Sequence, residues 1–358
     1  MIKVGALPPR ETADLQPTPA APHLLLAPME GLLDARLRAV VTRAADYDWC
    51  VSEFVRVTGS LLPSRSFLKA APELRAGART PAGTPVRVQL LGSDPERLAQ
   101  NAARLLELGP AGIDLNFGCP APQVNRHRGG AVLLAEPTLL HDIARAVSVA
   151  SEGRVPVTAK MRLGIRDTSL AIEAAQALAE GGAQMLVVHA RTRDQGYRPP
   201  AHWAWVARIA AAVRIPVVAN GEIWTLDDYL RCRAESGLVD VMLGRGALAD
   251  PFLASRIRDW LAGRQGRRED DAWPRLQPLL VEYWQRVRLE VAPRHAPGRL
   301  KQWLNLLQKH FPEADRLFRT VRGESDPAAI DVTISALEAS AAAGAPMDHH
   351  QTRGIQAE

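Results

Sequence analysis

The 358-residue chain has few cysteines and no long apolar run. Its three cysteines, Cys50, Cys119 and Cys232, lie far apart, so the sequence has neither the paired spacing of a structural zinc site nor a disulfide framework. We therefore expect no bound metal. Sparse, unpaired cysteines are typical of proteins of the reducing cytoplasm. Because no stretch of about 18 apolar residues is present, we expect no transmembrane helix.

Both ends of the chain lack the residues needed to build a core. Residues 1–22 contain five prolines and no apolar stretch of the kind found in a signal peptide. Residues 341–358 are rich in Ala, Gly, His and Gln. We therefore expect a disordered N-terminal extension over 1–22 and a disordered tail over 341–358.

Positive charge is concentrated in the C-terminal part of the chain. Residues 255–325 hold 15 Lys and Arg against 9 Asp and Glu, a net charge of +6, whereas the whole chain carries +5. A basic module on a near-neutral body is typical of a protein that binds a polyanion. A solvated helical surface accounts for the same charge excess, so charge alone does not decide between the two.

From residue 24 to about residue 250, short apolar runs alternate with longer helical patterns. The runs are Leu24–Met29, Trp49–Val55, Val86–Leu91, Gly112–Asn116, Val155–Met161, Met185–His189, Ile215–Asn220 and Val239–Leu243. The helical patterns are Asp34–Ala44, Pro95–Leu108, Pro137–Ala150, Ser169–Gly181, Ala201–Val213 and Leu226–Ser236. Apolar strands that alternate with helices predict a parallel sheet.

Eight strand units predict an α/β fold of the (β/α)8, or TIM, barrel type. An open, doubly wound sheet is the alternative, but APMEGLLD follows the first strand in place of that fold's glycine fingerprint. Residues 56–85 are too long for an ordinary connection and predict an elaborated loop. After about residue 250 no strand-like run remains, and apolar residues recur at helical spacing within 299–311. We predict a barrel domain over 23–250 and an all-helical domain over 251–340.

Polar residues cluster at the predicted carboxyl-terminal ends of the strands, where barrels build their sites. In strand order they are Pro28, Met29 and Glu30; Gln89; Asn116 and Cys119; Lys160 and Arg162; His189; Asn220, Gly221 and Glu222; and Gly244 and Arg245. Cys119 or His189 alone could be an ordinary core residue. Lys160 is more informative, because a lysine on a buried strand is rare and suits an anionic or electron-rich ligand.

The last two strand ends indicate a phosphate site. Barrels commonly bind phosphate after strands seven and eight. Gly221 and Gly244 would let backbone N–H groups approach the oxygens, and Arg245 and a helix N-terminus would add positive potential. A phosphate there, with a ring across Lys160 and His189, fits flavin mononucleotide (FMN).

Ordered blocks of the sequence resemble the tRNA-dihydrouridine synthases. From about residue 24 to residue 325 they are LAPMEGLLD, EFVRVT, VRVQLLG, DLNFGCPAPQVN, GGAVLL, VTAKMRLG, VVHARTRDQGY, IPVVANGEIW and VMLGRGAL. EFVRV and RLKQWLNLL are most similar to the bacterial synthase C subgroup, whose members reduce uridine 16 in the tRNA D-loop. The resemblance implies a TIM barrel, tRNA rather than DNA or a membrane as partner, a cytoplasmic location and a monomer.

The resemblance also implies roles for individual residues. FMN contacts are implied for Pro28, Met29, Glu30, Gln89, Lys160, His189, Asn220, Gly221, Glu222, Gly244 and Arg245. It implies that Cys119 is catalytic, that Asn116 lies beside the target base, and that the tRNA is oriented by Arg56, Arg299, Lys301 and Arg322.

The chemistry that the resemblance implies is a hydride transfer. NADPH, or NADH, would reduce the flavin, whose N5 would pass a hydride to C6 of a uracil flipped into the barrel mouth. Cys119 would donate a proton to C5 from the opposite face, since a thiol with an ordinary pKa of roughly 8.5 is protonated at neutral pH.

Two other functions share part of this pattern. A flavin-dependent barrel oxidoreductase that acts on a small molecule would use the same pocket but has no use for a basic helical region. A tRNA-binding or tRNA-folding protein with vestigial catalysis would not need Cys119, Lys160 and Gln89 together.

Overall fold

The computed structural model of the protein describes residues 22–264 and 272–343. The predictions of disorder for 1–22 and 341–358 therefore lie outside the described residues, except for Pro22 and residues 341–343. The last three complete the final helix, which spans Pro327–Ala343.

The described strands form one closed parallel barrel. In chain order they are β1 Leu24–Leu26, β2 Trp49–Val51, β3 Val55–Arg56, β4 Val86–Leu91, β5 Ile113–Phe117, β6 Val157–Arg162, β7 Leu186–His189, β8 Val217–Asn220 and β9 Val241–Leu243. Each strand from β4 to β9 pairs with its neighbour, and β1 pairs with both β9 and β2. The pairing of β2 with β4 closes the ring, which confirms the predicted (β/α)8 barrel.

Helices surround the barrel and follow it. The first group is α1 Ala35–Ala44, α2 Ser64–Ala70, α3 Pro95–Leu106, α4 Pro122–Arg126, α5 Pro137–Ala150, α6 Ala171–Glu180, α7 Trp203–Ala212, α8 Leu226–Ser236 and α9 Gly246–Ala249. After the barrel come α10 Leu253–Leu261, α11 Ala272–Glu290, α12 Ala296–Leu307, α13 Pro312–Val321 and α14 Pro327–Ala343. The residues after 250 that the structure describes contain no strand, as the sequence predicts.

The second barrel position differs from the single run predicted over 49–55. It is shared by β2, which pairs with the start of β4, and β3, which pairs with its end. Between them the hydroxyl of Ser52 accepts the backbone N–H of Gln89 at 3.2 Å. A side chain thus takes the place of a ladder carbonyl and interrupts the strand at the barrel mouth. The predicted elaborated loop over 56–85 contains α2 and a 3-10 turn over Pro72–Ala76.

The strands are apolar throughout because both of their faces are buried. One face of each strand packs against the outer helices. The other fills the barrel interior with a separate apolar cluster, formed by Leu25, Ala27, Trp49, Val51, Met185, Val187, Val218 and Met242. The barrel interior is therefore a packed core and not a pore.

Helix α12 attaches the C-terminal helices to the barrel at two points. The indole N–H of the fully buried Trp303 donates to the carbonyl of Leu248 at 3.1 Å, in the helix that follows β9. The guanidinium of Arg299 donates to Asp34 at 2.5 Å, in the loop that follows β1. The helical region therefore contacts the loops after the first and last barrel strands.

Three general properties of the described residues bear on function. Cys50, Cys119 and Cys232 are all free thiols. Over residues 22–264 and 272–343, no helix combines the length and the apolar character needed to cross a bilayer. Within the same ranges, His, Cys, Asp and Glu side chains form no group of three or more that is placed to hold a metal ion.

Candidate active site

One cavity of about 580 Å³ opens at the carboxyl-terminal end of the barrel. It is lined by every residue for which an FMN contact is implied, together with Asn116 and Cys119. The shared set is Pro28, Met29, Glu30, Gln89, Asn116, Cys119, Lys160, His189, Asn220, Gly221, Glu222, Gly244 and Arg245. Strand ends that are far apart in the sequence therefore meet at one mouth, as the barrel topology requires.

Lys160 projects from β6 toward the end of β8. Its ammonium donates to Asn220 Oδ1 at 3.0 Å, and Asn220 Nδ2 donates in turn to the carbonyl of Met242 at 2.7 Å. Burial, and then the nearby charge of Arg162, lowers the pKa of Lys160 from 10.5 to about 8, against the attraction of Asp114. The amine is therefore a cation at neutral pH that can lose its proton slightly above it.

His189 is surrounded by cations. Burial lowers its pKa well below the usual value, and so do the charges of Arg162, Lys160, Arg191 and Arg245. The imidazole is therefore neutral at neutral pH. Cations that gather around a neutral ring in a cavity create a site suited to an anionic ligand.

The loop after β8 brings its backbone close to His189. Gly221 has a φ of +110°, and a Cβ added there would lie 2.6 Å from Cδ2 of His189. Only glycine fits this position without displacing the imidazole. The next residue, Glu222, forms an ion pair with the buried Arg191 and accepts the indole N–H of Trp224 at 3.1 Å.

At the end of the cavity near β9, the backbone of Gly244 borders open space and the guanidinium of Arg245 lies between two aromatic rings. A Cβ added at Gly244 would meet no atom within 4 Å, so the backbone there borders open space. The Arg245 guanidinium lies 4.5 Å from the ring centre of Tyr197 and 5.2 Å from that of Trp224. An open backbone beside a held guanidinium fits a phosphate group, and the cationic cavity around Lys160 fits an electron-rich ring.

Cys119 lies beside Asn116, which holds its loop. The Oδ1 atom of Asn116 accepts the backbone N–H groups of both Gly118 and Cys119 at 2.9 Å. Asn125, on α4, donates to the Cys119 carbonyl at 2.9 Å. These bonds fix the backbone that carries the thiol.

The thiol of Cys119 is half-buried, and its environment keeps it protonated. Burial raises its pKa, and the carboxylate of Glu30 adds to this effect, whereas the backbone N–H of Ala121 and then the charges of Arg162 and Arg56 oppose it. A thiol with a raised pKa is neutral at neutral pH and can donate a proton.

The four arginine and lysine residues implied to orient tRNA lie outside the cavity lining. Arg56, at the end of β3, is close enough to act electrostatically on Glu30 and Cys119. Arg299 is bonded to the first barrel loop, and the ammonium of Lys301 donates to the carbonyl of Glu324. Arg322 is exposed immediately after α13. Their RNA contacts stay a prediction.

The cavity lining also includes Arg162, Arg191, Tyr197 and Trp224, to which the sequence prediction gives no role. Two of them line the cavity two positions after a predicted site residue, since Arg162 follows Lys160 and Arg191 follows His189. The sequence already places Arg162 among the polar residues at the strand ends, and the period of two along a strand puts it on the same side of β6 as Lys160. Tyr197 and Trp224 come from loops, where no periodicity points to the cavity.

The fold and the site together define a class of protein. A closed parallel barrel presents, at its catalytic edge, a cationic cavity that fits a phosphate-bearing ligand and a protonated thiol beside it. This is the site of a TIM-barrel enzyme. The family model described as dihydrouridine synthase matches residues 25–317 of this chain. The chain therefore belongs to the dihydrouridine synthase family.

Curated relatives agree with this family over most of the chain. The tRNA-dihydrouridine(16) synthase of Ralstonia nicotianae is 59% identical over 309 residues, which cover 86% of this chain and 94% of the relative. Its counterpart in Aquipseudomonas alcaligenes is 57% identical, with 86% and 98% covered. The one in Neisseria meningitidis serogroup A is 45% identical, with 88% and 95% covered. These similarities confirm the resemblance seen in the sequence blocks and the prediction that the protein is an enzyme.

Proposed function

We propose that the protein is an FMN-dependent tRNA-dihydrouridine synthase that reduces uridine 16 of the tRNA D-loop with NADPH. The observation that carries the proposal is the placement of the protonated Cys119 thiol in the same cavity as the cationic cluster around Lys160. The close relatives, which are named tRNA-dihydrouridine(16) synthases, support the choice of uridine 16.

FMN, when bound, would supply the hydride that the amino acids cannot. The residues for holding it are present. Gly244 and Arg245 would hold the phosphate, because an open backbone and a guanidinium lie there together. Lys160 would stabilise negative charge on an electron-rich ring, since its ammonium is a cation at neutral pH.

Cys119 would donate the proton that completes the reduction of the uracil. A thiolate could not donate one, so the raised pKa of this thiol matches the task. Asn116 would keep the thiol in place, because its side-chain oxygen holds two successive N–H groups of the Cys119 loop. Fixed placement of a proton donor is a large part of its catalytic value.

The RNA would be held from outside the cavity. A base in a folded tRNA must be flipped out to reach the barrel mouth. Arg56 would meet phosphates at the mouth, and Arg299, Lys301 and Arg322 would meet them from a tRNA-binding helical domain over 251–340. We also propose that the protein acts in the cytoplasm as a monomer.

Replacement of one cysteine tests this function. The Cys119→Ala protein should keep its flavin and its oxidation of NADPH by oxygen, and should lose dihydrouridine formation in tRNA. Cys232→Ala is the matched control, because Cys232 is fully buried in α8, away from the cavity lining. Undiminished dihydrouridine formation by Cys119→Ala would contradict the role of the thiol.

The wild-type protein separates the alternative functions. Reduction of small uracil-like compounds without any requirement for tRNA would support a small-molecule oxidoreductase. A colourless protein that binds tRNA without reducing it would support an RNA-binding function.

A further inference from the structure

A buried carboxylate below the cavity is not used by the chemistry proposed above. Asp114, on β5, is 1% exposed. The strand register places it directly between Gln89 on β4 and Thr158 on β6. It accepts from Gln89 Nε2 at 2.7 Å and from the hydroxyl of Thr158 at 2.6 Å. Both of its oxygens are therefore satisfied by neighbouring strands.

A continuous chain of hydrogen bonds connects Asp114 to the Cys119 loop, and every donor in it lies on the Cys119 side of its acceptor. Gln89 Nε2 donates to Asp114, and Gln89 Oε1 accepts from Asn116 Nδ2 at 2.7 Å. Asn116 Oδ1 then accepts the backbone N–H groups of Gly118 and Cys119. We call this chain of bonds the Asp114 relay.

The two ends of the relay determine its polarity. Backbone N–H groups can only donate, so Asn116 must turn its oxygen toward the Cys119 loop and its nitrogen toward Gln89. Gln89 must then accept with its oxygen and donate with its nitrogen. The relay is satisfied only if the group at position 114 is an acceptor, which a carboxylate is.

We propose that Asp114 is a positioning residue for Cys119: as the terminal acceptor of the relay, it holds Gln89 and Asn116 in the orientation that fixes the Cys119 loop. The amide nitrogens of Gln89 and Asn116 each have two N–H groups, of which one donates a hydrogen bond of the relay. The same orientation therefore leaves one further N–H on each of these two side chains, both of which line the cavity. The inference about the reaction rests on the proposed function, whereas the inference about the loop does not.

Substitutions at position 114 distinguish the effect of the hydrogen-bond acceptor of Asp114 from the effect of its negative charge. Asp114→Asn keeps an acceptor oxygen for Gln89 and can donate its nitrogen to the Thr158 hydroxyl, so the relay should survive. Asp114→Val has a similar volume and suits a strand, but it has no acceptor. Thr158→Val is the matched control, since it removes one bond to Asp114 and leaves the relay to Cys119 intact.

The first measurement is the rate at which iodoacetamide alkylates the purified, flavin-containing protein. Cys50 and Cys232 are fully buried, so the fast reaction of the folded protein reports Cys119. Asp114→Val should alkylate several-fold faster than the wild type, whereas Asp114→Asn and Thr158→Val should match it. Circular dichroism and flavin content verify the fold of each variant.

The second measurement is dihydrouridine formation in tRNA. Asp114→Val should lose about 10²-fold in rate, the effect of roughly 1 Å of misplacement at a reacting group, and Asp114→Asn should restore most of it. If the Val variant does not fold, Asp114→Ser gives the same test, because its hydroxyl fits the space but is too short to reach Gln89.

Two results would overturn the relay. One is an alkylation rate of Asp114→Val or Asp114→Ser equal to that of the wild type. The other is a folded Asp114→Asn protein that is as impaired as the Val variant. A wild-type protein with no activity on tRNA would instead contradict the proposed function, and the alkylation rates would still test the relay.

Discussion

Arg299 of α12 donates to Oδ2 of Asp34 at 2.5 Å and to the carbonyl of Gly31 at 2.6 Å. Asp34 also caps α1 by accepting the N–H of Leu37 at 3.1 Å. Although burial opposes the shift, the guanidinium of Arg299, followed by that of Arg36, keeps the pKa of Asp34 below its usual value. The helical region is thus tied to the loop that carries Met29 and Glu30 into the cavity.

This contact predicts a combined defect when Arg299 is replaced. Arg299→Ala should lower the free energy of unfolding by about 1–3 kcal/mol, because it removes one of the two guanidinium partners of a mostly buried carboxylate and leaves only Arg36 paired with it. It should also weaken both flavin retention and tRNA binding, which absorbance and filter binding measure. The sequence alone predicts a loss of tRNA binding only.

Lys301→Ala is the control for the Arg299 variant. Among the residues that the structure describes, the ammonium of Lys301 bonds only to the carbonyl of Glu324, within the helical region. Its replacement should reduce tRNA affinity and the salt dependence of binding without a change in flavin content. Full flavin retention by Arg299→Ala would show that the link to the first barrel loop has no effect on the cofactor.

Gly221 offers a test of the close approach at His189. Gly221→Ala should lower the affinity for FMN, since its Cβ would lie 2.6 Å from the imidazole at a φ of +110°. Gly237→Ala is the matched control: its φ is also positive, but a Cβ there has no atom within 4 Å. The control should lose about 1–2 kcal/mol of stability from backbone strain and keep its flavin. Equal flavin affinities of the two variants would contradict this assignment.

The pKa of Lys160 predicts a pH dependence. Lys160 is a cation below about pH 8 and loses its charge above that value. If it stabilises negative charge on the ring, reduction of the flavin by NADPH should slow as the pH rises through 8. The charged groups that influence Lys160 are Arg162 and Asp114, with the neutral His189 beside it.

Variants at position 160 test this explanation. Lys160→Arg should abolish the decline above pH 8, because a guanidinium stays charged, and Lys160→Met should be slow at every pH. Since the folded pKa lies below the ordinary 10.5, the fold favours the neutral amine. This group's contribution to stability should therefore increase between about pH 8 and pH 10.5. If flavin reduction by the Lys160→Arg protein still slowed above pH 8, the pH dependence would belong to another titrating group.

The sequence predicts the barrel and most of its mouth for a physical reason. Buried parallel strands are apolar on both faces, so each appears as a short run, and polar residues at their ends must meet at one edge. Lys160, His189 and Arg245 could be located by this rule alone. The roles of Cys119 and Asn116 came from the resemblance to the family.

The remaining features depend on contacts that no local pattern encodes. Ser52 interrupts the second strand because its hydroxyl meets the N–H of Gln89, which is 37 residues away. In the sequence, Arg299 has the position of a surface cation on an amphipathic helix. In the structure it bonds to Asp34, which lies 265 residues away in the chain. Asp114 lies within an apolar run of the sequence. Its hydrogen bond to Gln89 could be recognised only from the strand register, which places the two residues side by side.

The most direct test is to locate dihydrouridine in a tRNA treated with this protein. The purified, flavin-containing protein, NADPH and an unmodified tRNA transcript that carries uridine at several D-loop positions are incubated, and the product is mapped by mass spectrometry. We predict dihydrouridine at position 16 alone, and none with Cys119→Ala. Dihydrouridine at another position, or at none, would contradict the proposed function.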